Sequence, residues 1–124
     1  MVDIYKPARS AQVNHDFRLY MLKPTTGKVG TMLPLRAGMG LSIQAGKRSY
    51  SEPRVDGLSP YEYESFEVAI FNNSHDWLNP FMEDDMKLKP WSNFWSEYED
   101  VAGWVPADVV QEIYDDLREP DETG

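Results

Sequence analysis

Residues 65–71 read SFEVAIF and carry the clearest strand pattern in the chain. Phe66, Val68 and Ile70 occupy alternate positions, so in an extended backbone they share one face. A short run rich in aromatic and β-branched residues is typical of a strand with a buried face. We therefore predict a strand here and place the other elements around it.

Three segments upstream have shorter strand patterns. They are residues 17–22, 29–35 and 41–45. Pro34 confines the second of them to an edge or an end of a sheet, because proline cannot donate a ladder hydrogen bond. Residues 23–28 contain proline, threonine and glycine and are predicted to form a turn. Residues 1–16 show no periodicity, which predicts a loose N-terminal arm.

The second half of the chain changes to a helical period. Aromatic residues at helical spacing follow Pro90 and predict a short helix. They are Trp91, Phe94, Trp95 and Tyr98. After an extended piece at residues 100–105, residues 106–117 give a stronger amphipathic pattern. Its predicted buried face contains Val109, Ile113 and Leu117. Residues 120–124 are predicted to be a frayed acidic tail.

These elements predict an α+β fold, with a small antiparallel sheet and one or two C-terminal helices packed on one face. The length of 124 residues fits a single domain, residues 1–124. The chain has no cysteine, which excludes disulfides and thiolate zinc sites. It also has no apolar run long enough to span a membrane, so we expect a cytoplasmic protein with no membrane partner.

Residues 41–54, LSIQAGKRSYSEPR, contain a Gly-Lys pair that suggests a phosphate loop. The spacing argues against one, because a Walker loop needs glycine at the position of Leu41 and Ser or Thr at that of Arg48. We instead predict a strand and its exit turn. Ile43 then faces the core and Gln44 the opposite face, while Gly46 supplies a positive φ. Lys47 and Arg48 are expected to be solvated at the tip.

Tyr50, Pro53 and Arg54 form a predicted structural motif after this turn. Pro53 restrains the preceding residue to an extended conformation. The Arg54 guanidinium is expected to form a bidentate hydrogen-bonded pair with a carboxylate of the second half, with the Tyr50 ring packed beside it. Direct contact of Arg54 with a partner is the alternative.

The chemistry of the remaining polar residues points away from catalysis. The two histidines, His15 and His75, belong to no recognisable catalytic set. Acids near His75 lack the spacing and the central glycine of a calcium loop. We therefore predict no catalytic residues, no metal site and no cofactor, and expect the protein not to be an enzyme.

The net charge of −9 is distributed unevenly. Residues 1–60 carry nine bases and four acids, a charge of +5, whereas residues 61–124 carry three bases and 17 acids, a charge of −14. The two halves can neutralise each other across one domain, or the asymmetry can mark an interaction surface.

Nine acids of the second half are the predicted partner-binding residues, and we call them the acidic surface. They are Glu83, Asp84, Asp85, Glu97, Glu99, Asp100, Glu112, Asp115 and Asp116. The ordinary role of such charge is solubility. A more specific role is to imitate a nucleic-acid backbone and occupy a basic groove of another protein.

The aromatic stripe has three interpretations. Aromatic residues at helical spacing are usually core. If exposed, they can anchor a protein partner or stack on single-stranded nucleic acid. Direct binding of nucleic acid is disfavoured, because Glu97, Glu99 and Asp100 would repel phosphates.

Several short blocks follow one another in a characteristic order. They are LSIQA at residues 41–45, Tyr50, Pro53-Arg54, an acidic and aromatic middle, and Trp104-Val105-Pro106 followed by Val109-Val110. In this order they resemble a group of small proteins of phages and prophages, over residues 38–117. After Gln44-Ala45 the group has serine and an aromatic residue, where this chain has Gly46-Lys47-Arg48.

The resemblance implies no catalytic residues. It implies a small acidic phage protein that inhibits a host nucleic-acid-targeting defence, such as a CRISPR complex, by binding a host protein or ribonucleoprotein with a basic groove. The alternative is a phage accessory or assembly protein that acts through docking or self-association as a homo-oligomer.

Overall fold

The computed structural model describes residues 15–21 and 29–120. Within them an antiparallel sheet of five strands packs against one C-terminal α-helix, which confirms the predicted α+β class. The elements are β1 (Val29–Pro34), β2 (Gly40–Ala45), β3 (Ser65–Phe71), β4 (Trp77–Leu78), β5 (Val101–Pro106) and α1 (Ala107–Leu117). The predicted strands at 29–35, 41–45 and 65–71 are therefore confirmed, with small shifts at their ends, and the extended piece predicted at 100–105 corresponds to β5.

Strand β3, the SFEVAIF segment, lies at the centre of the sheet. One of its edges pairs with β2. The other edge pairs with β5 along residues 65–69 and with β4 at residues 70–71. The register places Ile43 opposite Val68 and Val105 opposite Phe66. Since cross-strand partners point to the same face, these residues line one buried face. Strand β1 forms an outer edge and ends at Pro34, as its proline requires.

Helix α1 covers this buried face. Val110, Ile113 and Leu117 are at most 1% exposed and pack into the same core as β3. A full burial of such a side chain contributes about 1.5–3 kcal/mol. The helix begins at Ala107, because Pro106 still belongs to β5 and occupies the N-cap position. The predicted start at 106 was thus one residue early, and Val109 is only half-buried.

The predicted strand at residues 17–22 is wrong. Phe17–Met21 is a 3₁₀ helix. Its backbone is bonded locally and to α1: Asp16 Oδ1 accepts from the Arg18 amide at 3.0 Å, and Gln111 Oε1 accepts from the Phe17 amide at 3.1 Å. Capping by an aspartate side chain favours such a turn over a strand. Phe17 then packs edge-to-face on Phe66.

The predicted aromatic helix is also only partly correct. Pro90–Phe94 is a 3₁₀ helix of five residues, after which Ser96 and Glu99 form an isolated bridge. Trp91 and Trp95 are buried in the core, whereas Phe94 is exposed and Tyr98 is 88% exposed. The helical period stops too early to bring Tyr98 onto the face of Trp91.

Some predicted features lie outside the described residues. These are the predicted turn at 23–28, residues 1–14 of the predicted N-terminal arm and residues 121–124 of the predicted tail. Among the helices that the structure describes, none is long and apolar enough to cross a membrane.

Candidate functional site

In the exit turn after β2, the main-chain amides donate hydrogen bonds to side chains of the segment that follows. Gly46 has a φ of 140°, as predicted, and its amide donates to Ser51 Oγ at 3.1 Å. The Lys47 amide donates to Asp56 Oδ1 at 2.8 Å. The carboxylate of Asp56 thus takes the amide that a phosphate oxygen would need. The side chains of Lys47 and Arg48 are exposed, as predicted.

Among the described residues, Arg54 does not make the predicted bond to a carboxylate of the second half. Its guanidinium lies over the Tyr50 ring, 5.4 Å from the centroid, and is exposed. The salt bridges found among residues 15–21 and 29–120 do not include Arg54. The packing of Tyr50 on Arg54 is therefore confirmed, but the predicted carboxylate partner is replaced by the aromatic ring. Glu52, before Pro53, pairs with Ser65 as an isolated bridge.

Tyr50 also stacks on Trp104, and we call these two residues the aromatic pair. Their ring centroids are 5.0 Å apart with an interplanar angle of 29°. The Trp104 amide donates to the Tyr50 carbonyl at 2.8 Å, and the Tyr50 amide donates to Glu67 Oε1 at 2.9 Å. Tyr50 is therefore bonded through its carbonyl to β5 and through its amide to β3, which holds the aromatic pair against the sheet.

The aromatic pair sits at an irregularity of the sheet. Gly103 and Trp104 together oppose Glu67 where the β3–β5 register shifts. Trp104 has a φ of 52°, a left-handed conformation that is costly for a bulky side chain. A Cβ at Gly103 would lie 2.8 Å from the Tyr50 Cβ, so only glycine allows this approach. An interior strand glycine beside Trp104 was the sequence signal for this feature, and we did not interpret it.

Replacement of Gly103 by alanine is expected to displace Tyr50 and break its stack on Trp104. Overpacking of this kind costs about 1–3 kcal/mol. Thermal melts and near-ultraviolet circular dichroism measure the two effects. Gly30→Ala in β1 is the matched control, because a Cβ there has its nearest neighbour at 3.4 Å. Equal behaviour of the two variants would show that Gly103 does not hold the pair together.

The acidic surface is open to solvent. Eight of its nine members are exposed and Asp116 is half-buried. Asp116 has a structural role, since its Oδ2 accepts from Trp91 Nε1 at 2.8 Å. Asp115 likewise accepts from Gln111 Nε2 at 3.1 Å. These two acids therefore serve the fold as well as the surface.

The ion pairs that the described residues form in this region stay within the second half. Lys87 pairs with Asp84 at 2.9 Å, Lys89 with Asp116 at 3.6 Å and Arg118 with Asp115 at 3.6 Å. The remaining members of the acidic surface appear in no salt bridge among the described residues. They are Glu83, Asp85, Glu97, Glu99, Asp100 and Glu112.

Two bases of the first half bind main-chain oxygens of the second. Arg36 Nη1 donates to the carbonyl of Asp116 at 3.0 Å, and Arg18 Nη2 donates to that of Tyr63 at 3.1 Å. The Arg18 guanidinium also lies over aromatic rings, including that of Phe66. These contacts are made to main-chain oxygens and aromatic rings, so they do not neutralise carboxylates of the second half.

Two acids of this surface stand beside the aromatic pair. Asn79 Nδ2 donates to the Glu99 carbonyl at 3.0 Å, and Trp95 Nε1 donates to the Asp100 carbonyl at 3.2 Å. Both anchoring side chains are buried. Glu99 and Asp100 then help to line an open pocket of about 510 Å³, which we call the aromatic pocket. Its walls are Tyr50, Glu99, Asp100, Val101, Gly103 and Trp104.

Several other polar groups of the described chain have structural partners. Asn72 Oδ1 accepts from the amides of Ser74 and Asp76 in the turn between β3 and β4, which contains His75. A hydrogen bond to Asp16 raises the pKa of Tyr61, and burial raises the pKa of Tyr63. Over residues 15–21 and 29–120, no group of three His, Cys, Asp or Glu side chains is arranged to hold a metal ion.

Comparison of the chain with protein-family models, with curated proteins and with solved structures gave no match. The resemblance of residues 38–117 to phage proteins therefore stays a prediction.

Proposed function

We propose that this protein is a binding protein without catalytic activity, whose acidic surface occupies a basic surface of a partner. The partner we propose is a host complex that targets nucleic acid, as in an RNA-guided or other anti-phage defence. The observation that carries the proposal is the charge on the surface. Six exposed carboxylates have no described salt bridge, while Lys87, Lys89 and Arg118 are already paired.

Electrostatics explain how such a surface competes with nucleic acid. Exposed charges act together over a Debye length of about 8 Å at physiological ionic strength. Glu97, Glu99 and Asp100 lie within four residues of one another, so a partner meets their combined field. A groove that binds phosphates through lysine and arginine gains the same kind of attraction from carboxylates. Occupation of the groove by the acidic surface would then exclude the nucleic acid.

A plaque assay tests this proposal. The protein is expressed in bacterial strains that each carry one defined defence system, and in the same strains with that system deleted. We expect phage plating to rise in at least one defended strain and to stay constant in its deleted counterpart. Plating that is unchanged in RNA-guided and restriction strains alike would contradict the proposal.

Self-association is the second candidate, as expected for an accessory or assembly protein. It is favoured by the sheet face that points away from α1, where Met32 is 54% and Trp77 51% exposed. The Trp77 ring packs on Phe71, with centroids 4.6 Å apart. Native mass spectrometry over a range of concentrations distinguishes this candidate. A stable oligomer that disappears on Trp77→Ser would favour it.

A further inference from the structure

We infer that the aromatic pocket receives a lysine or arginine side chain of the partner protein. This inference rests on the proposed function and names the point at which the partner is bound. The pocket is lined by two aromatic residues, Tyr50 and Trp104, and by two acidic residues, Glu99 and Asp100. No base lines it.

That combination is selective for an organic cation. The face of an aromatic ring is negative, and indole attracts lysine and arginine most strongly among the aromatic side chains. A carboxylate next to the ring adds a charge-assisted hydrogen bond to the same guest. The protein itself provides an example, because the Arg54 guanidinium already lies over the Tyr50 ring. Tyr50 is thus engaged by Arg54 and by Trp104, whereas the Trp104 side chain keeps 49% of its surface exposed.

The pocket is held ready before a partner arrives. The main chain of Glu99 and Asp100 is anchored by the buried side chains of Asn79 and Trp95. Trp104 is held in its left-handed conformation while its amide bonds to the Tyr50 carbonyl. Local strain at a half-exposed tryptophan is the kind of feature that persists where a side chain must be presented to a ligand. A rigid site loses less entropy on binding.

The same walls disfavour other guests. An apolar ligand would bring no partner for the two carboxylates. A nucleic-acid base could stack on Trp104, but its phosphates would meet Glu99 and Asp100. A cationic side chain can form a cation–π contact with an aromatic ring and a charge-assisted hydrogen bond with an acid at the same time.

Titration followed by ¹H–¹⁵N NMR of the tryptophan indoles tests the inference. The probes are N-acetyl-arginine amide, N-acetyl-lysine amide and N-acetyl-norleucine amide, the last being an apolar match for lysine. We expect both cations to move the Trp104 indole signal in a saturable way and norleucine amide to leave it in place. Trp77 is the internal control, because it is 51% exposed but lies on β4, outside the pocket.

Several outcomes would overturn the inference. They are an equal response to norleucine amide, an equal movement of Trp77 and Trp104, and no movement of Trp104 at saturating probe. A larger shift with a short oligothymidine than with arginine amide would assign the pocket to bases instead. The double variant Glu99→Gln/Asp100→Asn is expected to weaken binding of both cations while the remaining indole signals keep their positions.

The plaque assay separates this inference from the proposed function. Trp104→Leu is expected to reduce protection of the phage if the pocket binds the partner. Protection that survives Trp104→Leu, together with a silent Trp104 signal, would reject the pocket and leave the acidic surface as the binding element. Cation binding at Trp104 without protection in any strain would reject the proposed function, but the conclusion that the aromatic pocket binds cationic side chains would stand.

Discussion

Ile113→Asp is expected to unfold the protein or to lower its free energy of unfolding by about 3–5 kcal/mol, because it places an unpaired carboxylate in the core. Ile113 is fully buried in α1 and packs in the same cluster as β3. Domains of this size have a total stability of about 5–15 kcal/mol, so this loss is a large fraction of it. Chemical denaturation followed by far-ultraviolet circular dichroism measures the change.

Val109→Asp is the matched control for that substitution. Val109 lies on the same helix, one turn earlier, but is only half-buried, so its carboxylate can reach solvent. We expect a clearly smaller loss of stability than for Ile113→Asp. Equal losses would show that α1 does not present Ile113 to the sheet as described.

Trp91→Ala is expected to cost about 3–5 kcal/mol, since it removes the largest fully buried side chain and leaves a cavity. It also removes the indole donor that bonds to Asp116 Oδ2 and the edge contact with Trp95. The affected carboxylate is half-buried, which adds to the loss. Thermal and urea denaturation measure the effect.

The control for Trp91→Ala comes from the same predicted stripe. Tyr98→Ala should change stability by no more than about 0.5 kcal/mol, as is usual for exposed positions. A destabilisation by Tyr98→Ala comparable with that of Trp91→Ala would mean that the stripe is a continuous core helix after all.

Elements with a regular period could be predicted from the sequence. Strand β3 has Phe66, Val68 and Ile70 at alternate positions, and α1 has its apolar residues at helical spacing, so each pattern reports a buried face directly. The segment at 17–22 misled us because six residues contain too little of any period. There the Asp16 cap and the bonds to Gln111 determine the conformation, and the second of these comes from a distant part of the chain.

The candidate site was predictable in its charges but not in its geometry. The nine acids of the acidic surface were expected to be exposed, and eight of them are, whereas Asp116 is half-buried. The aromatic pocket depends on Tyr50 meeting Trp104, which are far apart in sequence and are joined by a register shift between β3 and β5. The interior glycine Gly103 signals an irregularity in β5, but the residue that meets Trp104 there is set by tertiary pairing, which no local pattern reports. The packing of Arg54 on Tyr50 was predictable, because the two residues are close in sequence, whereas the predicted carboxylate partner depended on tertiary placement and is not found among the described residues.

The design of the charge test follows from the structural roles of individual acids. Reversal of Asp115 and Asp116 would disturb the bonds to Gln111 and Trp91 and so confuse binding with folding. Glu83, Asp85 and Glu97 are exposed, have no described salt bridge and lie outside the aromatic pocket. Their replacement by lysine therefore changes the acidic surface alone. The control reverses Glu64, Asp76 and Glu119, which are exposed acids outside that surface.

The most direct measurement is inhibition of the purified defence complex from the strain that responds in the plaque assay. Binding of its nucleic-acid target is titrated with the wild-type protein, with the Glu83/Asp85/Glu97→Lys variant and with the control variant, at low and at physiological salt. We predict that the first variant loses inhibition by about tenfold or more and has a weaker salt dependence, because close charge pairs dominate electrostatic docking. The control variant should inhibit as the wild type does. Inhibition by the Glu83/Asp85/Glu97→Lys variant that equals the wild type at low salt would contradict the claim that the acidic surface occupies the partner.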